Sequence, residues 1–476
     1  MTVKDSAAAS YIDEKRPLIV KISDTIWEYA EVGLHEDLSA KCLEDALEAE
    51  GFKADRAVAG MPTAFVATWG SGKPVIGYLG EYDALPGVSQ AAIPTRQELK
   101  SGAAGHGCGH NLLGAGSFAA AVGLKRELEA RHLPGTVKYF GCPAEENFSG
   151  KAFMARDGLF DDCDACLTWH AGSLNRVRNS SSLANNAMNV TFYGRTAHAA
   201  GDPYNGRSAL DSLQLMNIGV EFLREHMSPS ARVHYVITNG GGQPNVVPAK
   251  ASAWYLVRAP RREEVDDLYK RVLNCAYGAA QMTDTRVETD LIKAIWNILP
   301  NEALEDLLED CARRVGPPKF TEEDLAFAGQ ISKSFTPGQR EAALRKEHVP
   351  EEVFSQVLND TWVPRSEVPR EGEGSTDVGD VSWCCPTAQF GTACNAIGTP
   401  GHSWQYTAQA GMEIGHKGMI VAGKILAEAG FELMTGPELL QKAKAEFKKS
   451  TRGKPYVSAI PKDHEPKFDQ FERKGD

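Results

Sequence analysis

The chain has 476 residues, of which 42% are hydrophobic and 24% charged, and its formal net charge at pH 7 is −12. This length is more than one ordinary core accommodates, so we expect two domains. The acidic balance argues against nucleic acid or an anionic membrane as a main partner.

The pattern of apolar residues contains no targeting or membrane signal. No stretch approaches the ~20 consecutive apolar residues of a membrane span, and residues 1–17 are polar where a secretion signal needs an apolar segment. The ten cysteines are scattered, unlike those of a small disulfide-rich domain. We therefore expect a cytoplasmic protein in which the Cys163-x-x-Cys166 pair is structural.

The first part of the chain alternates helical and strand patterns. Apolar spacing and turn residues predict, in chain order, helices over 13–33 and 37–50, strands over 64–69 and 75–80, a helix over 111–131, and strands over 136–142 and 165–169. This alternation favours an α/β domain with a mixed, mostly parallel sheet and flanking helices.

Polar side chains follow three of these predicted strands. Asp83 follows the second strand, Glu145 and Glu146 follow the third, and His170 follows the fourth. Because the carboxyl ends of parallel strands meet at one edge of a sheet, and sites form there, we expect these side chains to lie together.

A glycine-rich segment directly before the helix at 111–131 carries Cys108 and His110. Its glycines free the backbone to fold closely around whatever the Cys and His side chains hold. A thiolate and an imidazole at this spacing suit a zinc-like ion, although so short a motif is not diagnostic alone. His106 in the same segment is expected to be a neighbour and not a ligand.

Together these segments supply a set of metal donors: Cys108, His110, Glu146, His170 and His402. Five donors are too many for one structural zinc, which takes four, but they suit two divalent ions that share a bridging ligand and a water. Glu145 is then free to act as general base, and Asp83 is placed to orient an imidazole. Taken singly, the carboxylate pair is typical of a solvated loop, and each histidine is typical of an ordinary packed or loop residue. The occurrence of all of them at strand ends and in loops of one fold favours the metal site.

The second part of the chain changes character and defines the domain boundaries that we expect. Residues 186–295 follow the pattern βαββαβ of a ferredoxin-like α+β unit, which we take as an inserted domain. Its His198 has no apolar neighbours to pack against, so we consider it functional. Residues 296–370 are helical, charged and proline-punctuated, and we expect an accessory insertion or lid. The other expected divisions are two parts of a catalytic domain, 1–185 and 371–450, and a peripheral tail, 451–476.

Six dispersed motifs occur in the order seen in one known family. They are Asp83-Ala84-Leu85-Pro86, His106-Gly107-Cys108-Gly109-His110, Pro143-Ala144-Glu145-Glu146, Trp169-His170, Gly194-Arg195-Thr196-Ala197-His198-Ala199, and His402. On these residues the chain resembles the amidohydrolase branch of the aminoacylase/carboxypeptidase G metallopeptidase superfamily, which includes hippurate hydrolase and auxin-conjugate hydrolases. The resemblance covers about residues 15–295 and 371–430, and Asn111 stands where most of the branch has Asp.

The resemblance implies a catalytic domain that holds two divalent ions, zinc or manganese, and an inserted dimerisation domain. It assigns the five donors above as metal ligands and Glu145 as the general base. It further implies that His198 stabilises the oxyanion across a homodimer, and that Asn245 and Arg258 bind substrate. The expected reaction is hydrolysis of the amide between an aryl or acyl group and an amino acid, of the p-aminobenzoyl-glutamate type. A related second subunit stays an open alternative.

Other interpretations stay open at this point. A dipeptidase or carboxypeptidase on the same scaffold differs in its substrates, and a hydrolytic deaminase of an aromatic amine differs by releasing ammonia. A metal- or ligand-binding protein with a dead site is disfavoured by Glu145 beside Glu146. Cysteine favours zinc, while carboxylate and water ligands also suit manganese.

Overall fold

The computed structural model describes residues 6–366, 372 and 374–466, so the start of the second catalytic part expected over 371–450, and the end of the expected tail 451–476, lie outside the described residues. The helices are α1 (Ala7–Glu14), α2 (Arg16–Tyr29), α3 (Asp37–Ala49), α4 (His110–Arg131), α5 (Gly150–Arg156), α6 (Ala209–Leu223), α7 (Arg262–Thr283), α8 (Glu302–Val315), α9 (Glu322–Ile331), α10 (Gln339–Glu347), α11 (Val378–Cys384), α12 (Trp404–Ala410), α13 (Glu413–Thr435) and α14 (Pro437–Ser450). The strands are β1 (Lys53–Arg56), β2 (Phe65–Ser71), β3 (Val75–Glu81), β4 (Gly135–Cys142), β5 (Ala165–Gly172), β6 (Arg176–Arg178), β7 (Ala184–Tyr193), β8 (Arg232–Asn239), β9 (Lys250–Ala259), β10 (Arg286–Ile295) and β11 (Thr387–Ala393).

The larger sheet has seven strands in the order β1-β2-β4-β3-β5-β11-β6. Its four inner strands, β4, β3, β5 and β11, run parallel to one another. The outer strands β1, β2 and β6 pair antiparallel. The parallel centre and mixed edges confirm the predicted α/β class. Strands β1 and β6 were not predicted, because they are short edge strands with few buried positions.

The smaller sheet has four strands in the order β10-β7-β9-β8, and every neighbouring pair is antiparallel. In the chain the elements run β7-α6-β8-β9-α7-β10, which is the βαββαβ order of a ferredoxin-like unit. Alternate residues of β7, including Met188, Val190 and Phe192, are buried in one apolar cluster with residues of α6 and α7. Helices therefore cover one face of this sheet and leave the other for the catalytic domain.

The main core lies around α4, which is buried along most of its length. Glycine and alanine dominate the middle of α4, so neighbouring elements approach it closely: a Cβ added at Gly116 would lie 2.6 Å from Trp169 of β5. Helices α1, α2 and α13 contribute to the same apolar cluster. This packing fixes the amino terminus of α4, where His110 begins the helix, against the carboxyl ends of the parallel strands.

Helix α8 differs from the accessory role expected for residues 296–370. Its Leu304, Leu308 and Cys311 are completely buried in the main core. The helix is strongly amphipathic, and its charged residues occupy the opposite face. Only the following helices α9 and α10 lie in separate, smaller apolar clusters.

One predicted helix was wrong in its extent. The helix predicted over 13–33 is broken at Lys15, because Pro17 in the first turn of α2 cannot donate the backbone hydrogen bond that would continue α1. Among the described residues, no helix has both the length and the apolar character needed to cross a bilayer.

Candidate metal centre and active site

The carboxyl ends of the inner strands bring the predicted side chains together. Asp83 follows β3, Glu145 and Glu146 follow β4, and His170 lies near the end of β5. The loop before α12 adds His402, whose backbone N–H donates to the carbonyl of Gly107 over 3.0 Å. That hydrogen bond joins the C-terminal loop to the cysteine segment.

The cysteine segment turns sharply at Gly109 before α4 begins. Gly109 has φ of +76°, a left-handed conformation that favours glycine, and a Cβ there would lie 2.9 Å from the ring of Tyr406. The Tyr406 hydroxyl donates to the carbonyl of Ala171 over 2.6 Å. Cys108 and His110 are therefore held on either side of a turn that a larger residue would strain.

Two groups of potential ligands share one cysteine. The first contains Cys108, His110 and His170, and the second contains Cys108, Glu146 and His402; within each group the ligand atoms lie within 4.8 Å of one another. Cys108 Sγ is 3.5 Å from His170 Nε2, and His402 Nε2 is 3.4 Å from Glu146 Oε2. The geometry thus brings together all five predicted donors.

Two of the donor residues, His110 and Glu146, have a buried and unpaired atom, as metal ligands do. His110 Nε2 lies 3.1 Å from Glu81 Oε2, yet both atoms, with Glu146 Oε1, are buried without a hydrogen-bond partner among the described residues. Buried polar atoms are normally paired. Burial raises the pKa of Cys108 to about 12, and nearby Glu146 adds to the effect. Since a metal ion takes the thiolate, this donor set fits divalent cations.

The imidazole rings are oriented by hydrogen bonds on their far side. His110 Nδ1 donates to Asp83 Oδ1 over 2.7 Å, and His170 Nδ1 donates to the carbonyl of Ala171 over 2.7 Å. Both Nε2 atoms then face the cluster, as a ligating histidine requires. Burial and the neighbouring Arg178 lower the pKa of His170 to about 4, so its ring is neutral at pH 7.

His106 and Asn111 lie beside the cluster and face away from it. His106 Nε2 donates to the carbonyl of Ile26 over 2.9 Å, outside both ligand groups. The Asn111 amide donates to Ser23 Oγ and to the Ala410 carbonyl, each over 3.0 Å. Asn111 therefore fastens α4 to its neighbours, and the support of the His110 ring comes from Asp83.

Glu145 lies at the wall of a cavity of about 430 Å³. The cavity is lined by the potential ligands Cys108, Glu146, His170 and His402, and by Asn185, Arg258 and Lys293 of the smaller sheet. Burial raises the pKa of Glu145 well above its usual range, and Glu81, Asp377 and Glu146 raise it further. The cavity thus combines a half-buried carboxyl group, a metal-ligating cluster and cationic side chains.

The other residues predicted for the site are divided between the cavity and the surface. Arg258 lines the cavity, whereas His198 and Asn245 are exposed on the inserted domain, where the Ala199 N–H donates to the Asn245 carbonyl over 3.0 Å. His198 Nδ1 accepts from the Gly201 N–H over 3.0 Å. Within one chain, therefore, His198 and Asn245 do not reach the metal-ligating cluster.

Three charged residues behind the cluster were missed by the sequence reasoning. Lys151 is completely buried, with its Nζ 2.7 Å from Glu81 Oε1 and 2.6 Å from Asp377 Oδ1. Glu81 carried a detectable signal, since it ends a buried strand two residues before Asp83. Lys151 and Asp377 carried none, because their pairing joins positions far apart in the chain.

The site has two ligand groups at the edge of a parallel sheet, and the chain carries an inserted four-stranded unit. This combination is that of a metal-dependent hydrolase of the peptidase type. Residues 185–280 match the peptidase dimerisation domain of the M20 family. The chain is 44% identical to one of the two subunits of p-aminobenzoyl-glutamate hydrolase of Escherichia coli (strain K12), over 96% of this chain and 97% of that protein. The chain therefore belongs to the M20 peptidase family.

Two further comparisons describe the range of its relatives. The chain is 29% identical to the Xaa-Arg dipeptidase of Mus musculus, over 93% of this chain and 91% of that protein. Its fold is similar to that of the Bacillus subtilis YXEP protein, described as a dinuclear metal binding peptidase, with a TM-score of 0.55 at 16% identity over 89% of this chain and 99% of that one. The resemblance identified from the motifs, which pointed to this same p-aminobenzoyl-glutamate hydrolase component, is confirmed.

Proposed function

We propose that this protein is a metal-dependent amidohydrolase that cleaves the amide between an aryl or acyl group and an amino acid, of the p-aminobenzoyl-glutamate type. The observation that carries the proposal is the pair of ligand groups sharing Cys108 beside the half-buried Glu145 in one cavity. The similarity to a protein named as part of p-aminobenzoyl-glutamate hydrolase supports the choice of substrate.

We further propose two divalent ions, zinc or manganese, as the cofactors. Cys108, His110 and His170 would hold one ion, and Cys108, Glu146 and His402 would hold the other, as the two ligand groups suggest. When bound, such a pair polarises the scissile carbonyl and lowers the pKa of water. The thiolate favours zinc, and the carboxylate also suits manganese.

Glu145 carries the proton during the proposed reaction. Its carboxylate takes a proton from the attacking water as the water oxygen bonds to the amide carbon. It then gives the proton to the amide nitrogen, which leaves as an amine when the carbon–nitrogen bond breaks. Arg258 binds a carboxylate of the amino acid. Burial lowers the pKa of Arg258, and the same exclusion of water strengthens the attraction between its guanidinium and the carboxylate. Asp83 keeps His110 oriented.

A homodimer completes the proposed site. Exposed apolar residues on α6 and on the edge strand β8 support a second copy of the chain at this face; they are Leu215, Ile218, Phe222, Tyr235, Val236 and Ile237. An edge strand with unpaired backbone groups also favours pairing with another strand. In the dimer, His198 of one protomer enters its partner's cavity and donates to the oxyanion, worth about 3 kcal/mol, and Asn245 helps to bind the substrate. The E. coli relatives are named as subunits A and B of one hydrolase, so association with a second, related subunit is the alternative to the homodimer.

Glu145→Gln separates catalysis from metal binding. We expect chelation to abolish hydrolysis of p-aminobenzoyl-glutamate and zinc or manganese to restore it in the wild-type protein. Glu145→Gln should bind the same number of ions, measured by elemental analysis, yet lose roughly 10²- to 10⁴-fold in kcat. A variant that binds metal normally and retains full turnover would contradict the mechanism, and a preference for dipeptides in a substrate panel would favour the dipeptidase alternative.

A further inference from the structure

Strand β10 contains an irregularity that changes which side of the smaller sheet Lys293 faces. Leu291 pairs with Met188 of β7, but the next pair is Lys293 with Ala187, so Ile292 is an extra residue in the ladder. A β-bulge of this kind shifts the register by one and re-aims the side chains that follow. Without it, Lys293 would pair with Asn186 and its side chain would face the opposite side of the sheet.

The shifted register places Lys293 on the same face as Arg258. Arg258 of β9 pairs with Asn185, and Lys293 pairs with Ala187. Directly opposed residues share a face of a sheet, and so do residues two apart on one strand. Arg258, Asn185 and Lys293 therefore form one polar wall, and all three line the cavity that contains Glu145.

This polar wall has hydrogen-bonding capacity that the described residues do not use. Arg258 Nε and Asn185 Oδ1 are buried without a hydrogen-bond partner among them, and Asn185 is only 2% exposed. No ion pair joins Lys293 or Arg258 to a described residue. The charges that face Lys293 belong to Glu145, Asp377, Arg258 and Glu146. Burial and Arg258 lower the pKa of Lys293, and the three carboxylates offset this only in part.

Two half-buried cations that have no ion-pair partner among the described residues indicate an anionic ligand. Removing a charge from water is costly unless it is paired, and here the two positive groups lie two strands and two residues apart, about 12 Å at the backbone. One carboxylate can engage only one end of such a wall, whereas a ligand with two carboxylates can bridge it. A positively charged leaving group such as arginine would be repelled.

We propose that Lys293 selects substrates whose leaving amino acid is acidic, by binding its side-chain carboxylate while Arg258 binds the α-carboxylate. The substrate class is then the N-aroyl or N-acyl derivative of glutamate or aspartate. This inference rests on the proposed function and deepens it. Lys293 is then a specificity-determining residue, and the bulge in β10 places its side chain on the face of the sheet that lines the cavity.

Product binding tests the inference without requiring turnover. Calorimetric titration of the metal-loaded protein with L-glutamate and with the isosteric L-glutamine should show tighter binding of glutamate, by about 10- to 100-fold, as expected for a charged hydrogen bond. Lys293→Met should abolish that preference by weakening glutamate alone, and Lys293→Arg should retain it. Lys250→Met is the matched control, since Lys250 lies on the same sheet face farther along β9, outside this cavity.

Hydrolysis provides the second measurement and keeps the two proposals separate. With N-acyl-glutamate and N-acyl-glutamine, Lys293→Met should raise KM for the acidic substrate alone. Equal affinity of the wild-type protein for glutamate and glutamine, or equal losses for both in Lys293→Met, would overturn the role of Lys293 while leaving amide hydrolysis intact. Selective glutamate binding by a protein that hydrolyses no amide would support Lys293 and refute the proposed function.

Discussion

Asp83 holds two parts of the candidate metal centre with one carboxylate. Its Oδ1 accepts from His110 Nδ1 over 2.7 Å, and its Oδ2 accepts from the backbone N–H of Glu146 over 3.0 Å. The carboxylate therefore fixes an imidazole ligand and the loop of a carboxylate ligand at once. Burial opposes its ionisation, but His110 and these hydrogen bonds outweigh that effect, and the pKa of Asp83 lies below its ordinary value.

Asp83→Asn should weaken metal binding more than it weakens folding. The amide can still accept one hydrogen bond through its oxygen, but its nitrogen cannot accept the other, and its neutral charge supports the imidazole less. We expect metal affinity to fall about 10- to 100-fold, as for other residues that orient ligands, measured by competition with a chelator. The control is Asp55→Asn at an exposed position of β1; unchanged affinity in Asp83→Asn would contradict the orienting role.

At the scale of elements, α8 and α14 both contribute apolar residues to the main core, and α14 has a polar attachment in addition. Helix α8 contributes completely buried apolar residues to the main core. Helix α14 is joined through Asp164, which precedes β5: Oδ1 accepts from Lys444 of α14, and Oδ2 accepts from the Val75 N–H at the start of β3 over 2.7 Å. The apolar packing and this charged attachment respond to different changes.

Leu308→Ala tests whether α8 is part of the core. Leu308 is completely buried, so its truncation should reduce the free energy of unfolding by about 2–5 kcal/mol. Leu325→Ala is the matched control within the same segment, because Leu325 on α9 is 44% exposed. Urea denaturation measures both. Equal, small losses in the two variants would instead support an accessory role for α8.

Asp164→Asn tests the polar attachment through its pH dependence. Burial raises the pKa of Asp164, but the hydrogen bonds from Lys444 and Val75 outweigh it, so the pKa is lowered on folding. A lowered carboxyl pKa stabilises the fold above the unfolded-state value of about 3.9, and that stability is lost as pH falls through the folded-state value.

The Asp164→Asn variant should therefore be less stable than the wild type by about 2 kcal/mol at pH 7. The difference should stay constant down to about pH 5 and shrink below about pH 4, where the wild-type carboxylate becomes protonated. Chemical denaturation across this range measures it. Asp45→Asn, which removes an exposed pair with Lys41, is the control and should leave the stability nearly unchanged. A pH-independent difference for Asp164→Asn would count against the linkage.

At the scale of the whole molecule, one chain contains the ligands and Glu145 but keeps His198 away from them. The catalytic cluster lies at the edge of the larger sheet, and His198 is exposed on the inserted domain. The exposed apolar face of α6 and β8 belongs to that same inserted domain. The proposed symmetric dimer through this face would account for both observations, because it would bury the apolar residues and exchange His198 between protomers.

Complementation between inactive variants tests this arrangement. Glu145→Ala and His198→Ala should each be inactive alone, and mixing them with exchange of protomers should restore activity. Random exchange of equal amounts makes half of the dimers mixed, each with one intact site, so about a quarter of the wild-type activity is expected. Sedimentation confirms the dimers; no recovery from dimers that have exchanged would contradict a site shared between chains.

Much of the fold and most of the candidate centre were predictable from the sequence because their signals are local. Cys108 and His110 sit in a glycine-rich segment before an apolar helix, and Glu146 and His170 come at the ends of apolar strands. Parallel strands deliver such ends to one edge of a sheet whatever the rest of the chain does. The spacing of apolar residues likewise predicts the order of strands and helices in the inserted unit.

Only the tertiary structure decided the features that depend on register or on distant contacts. Lys293 faces the cavity because one extra residue in β10 reverses the alternation, and a single-residue slip leaves no mark on composition. The buried Lys151–Glu81–Asp377 network joins three distant segments, and α8 enters the core through partners that its own pattern does not specify. The sequence by itself determined which metal donors and which candidate general base the chain contains. Packing determined which charged side chains surround them.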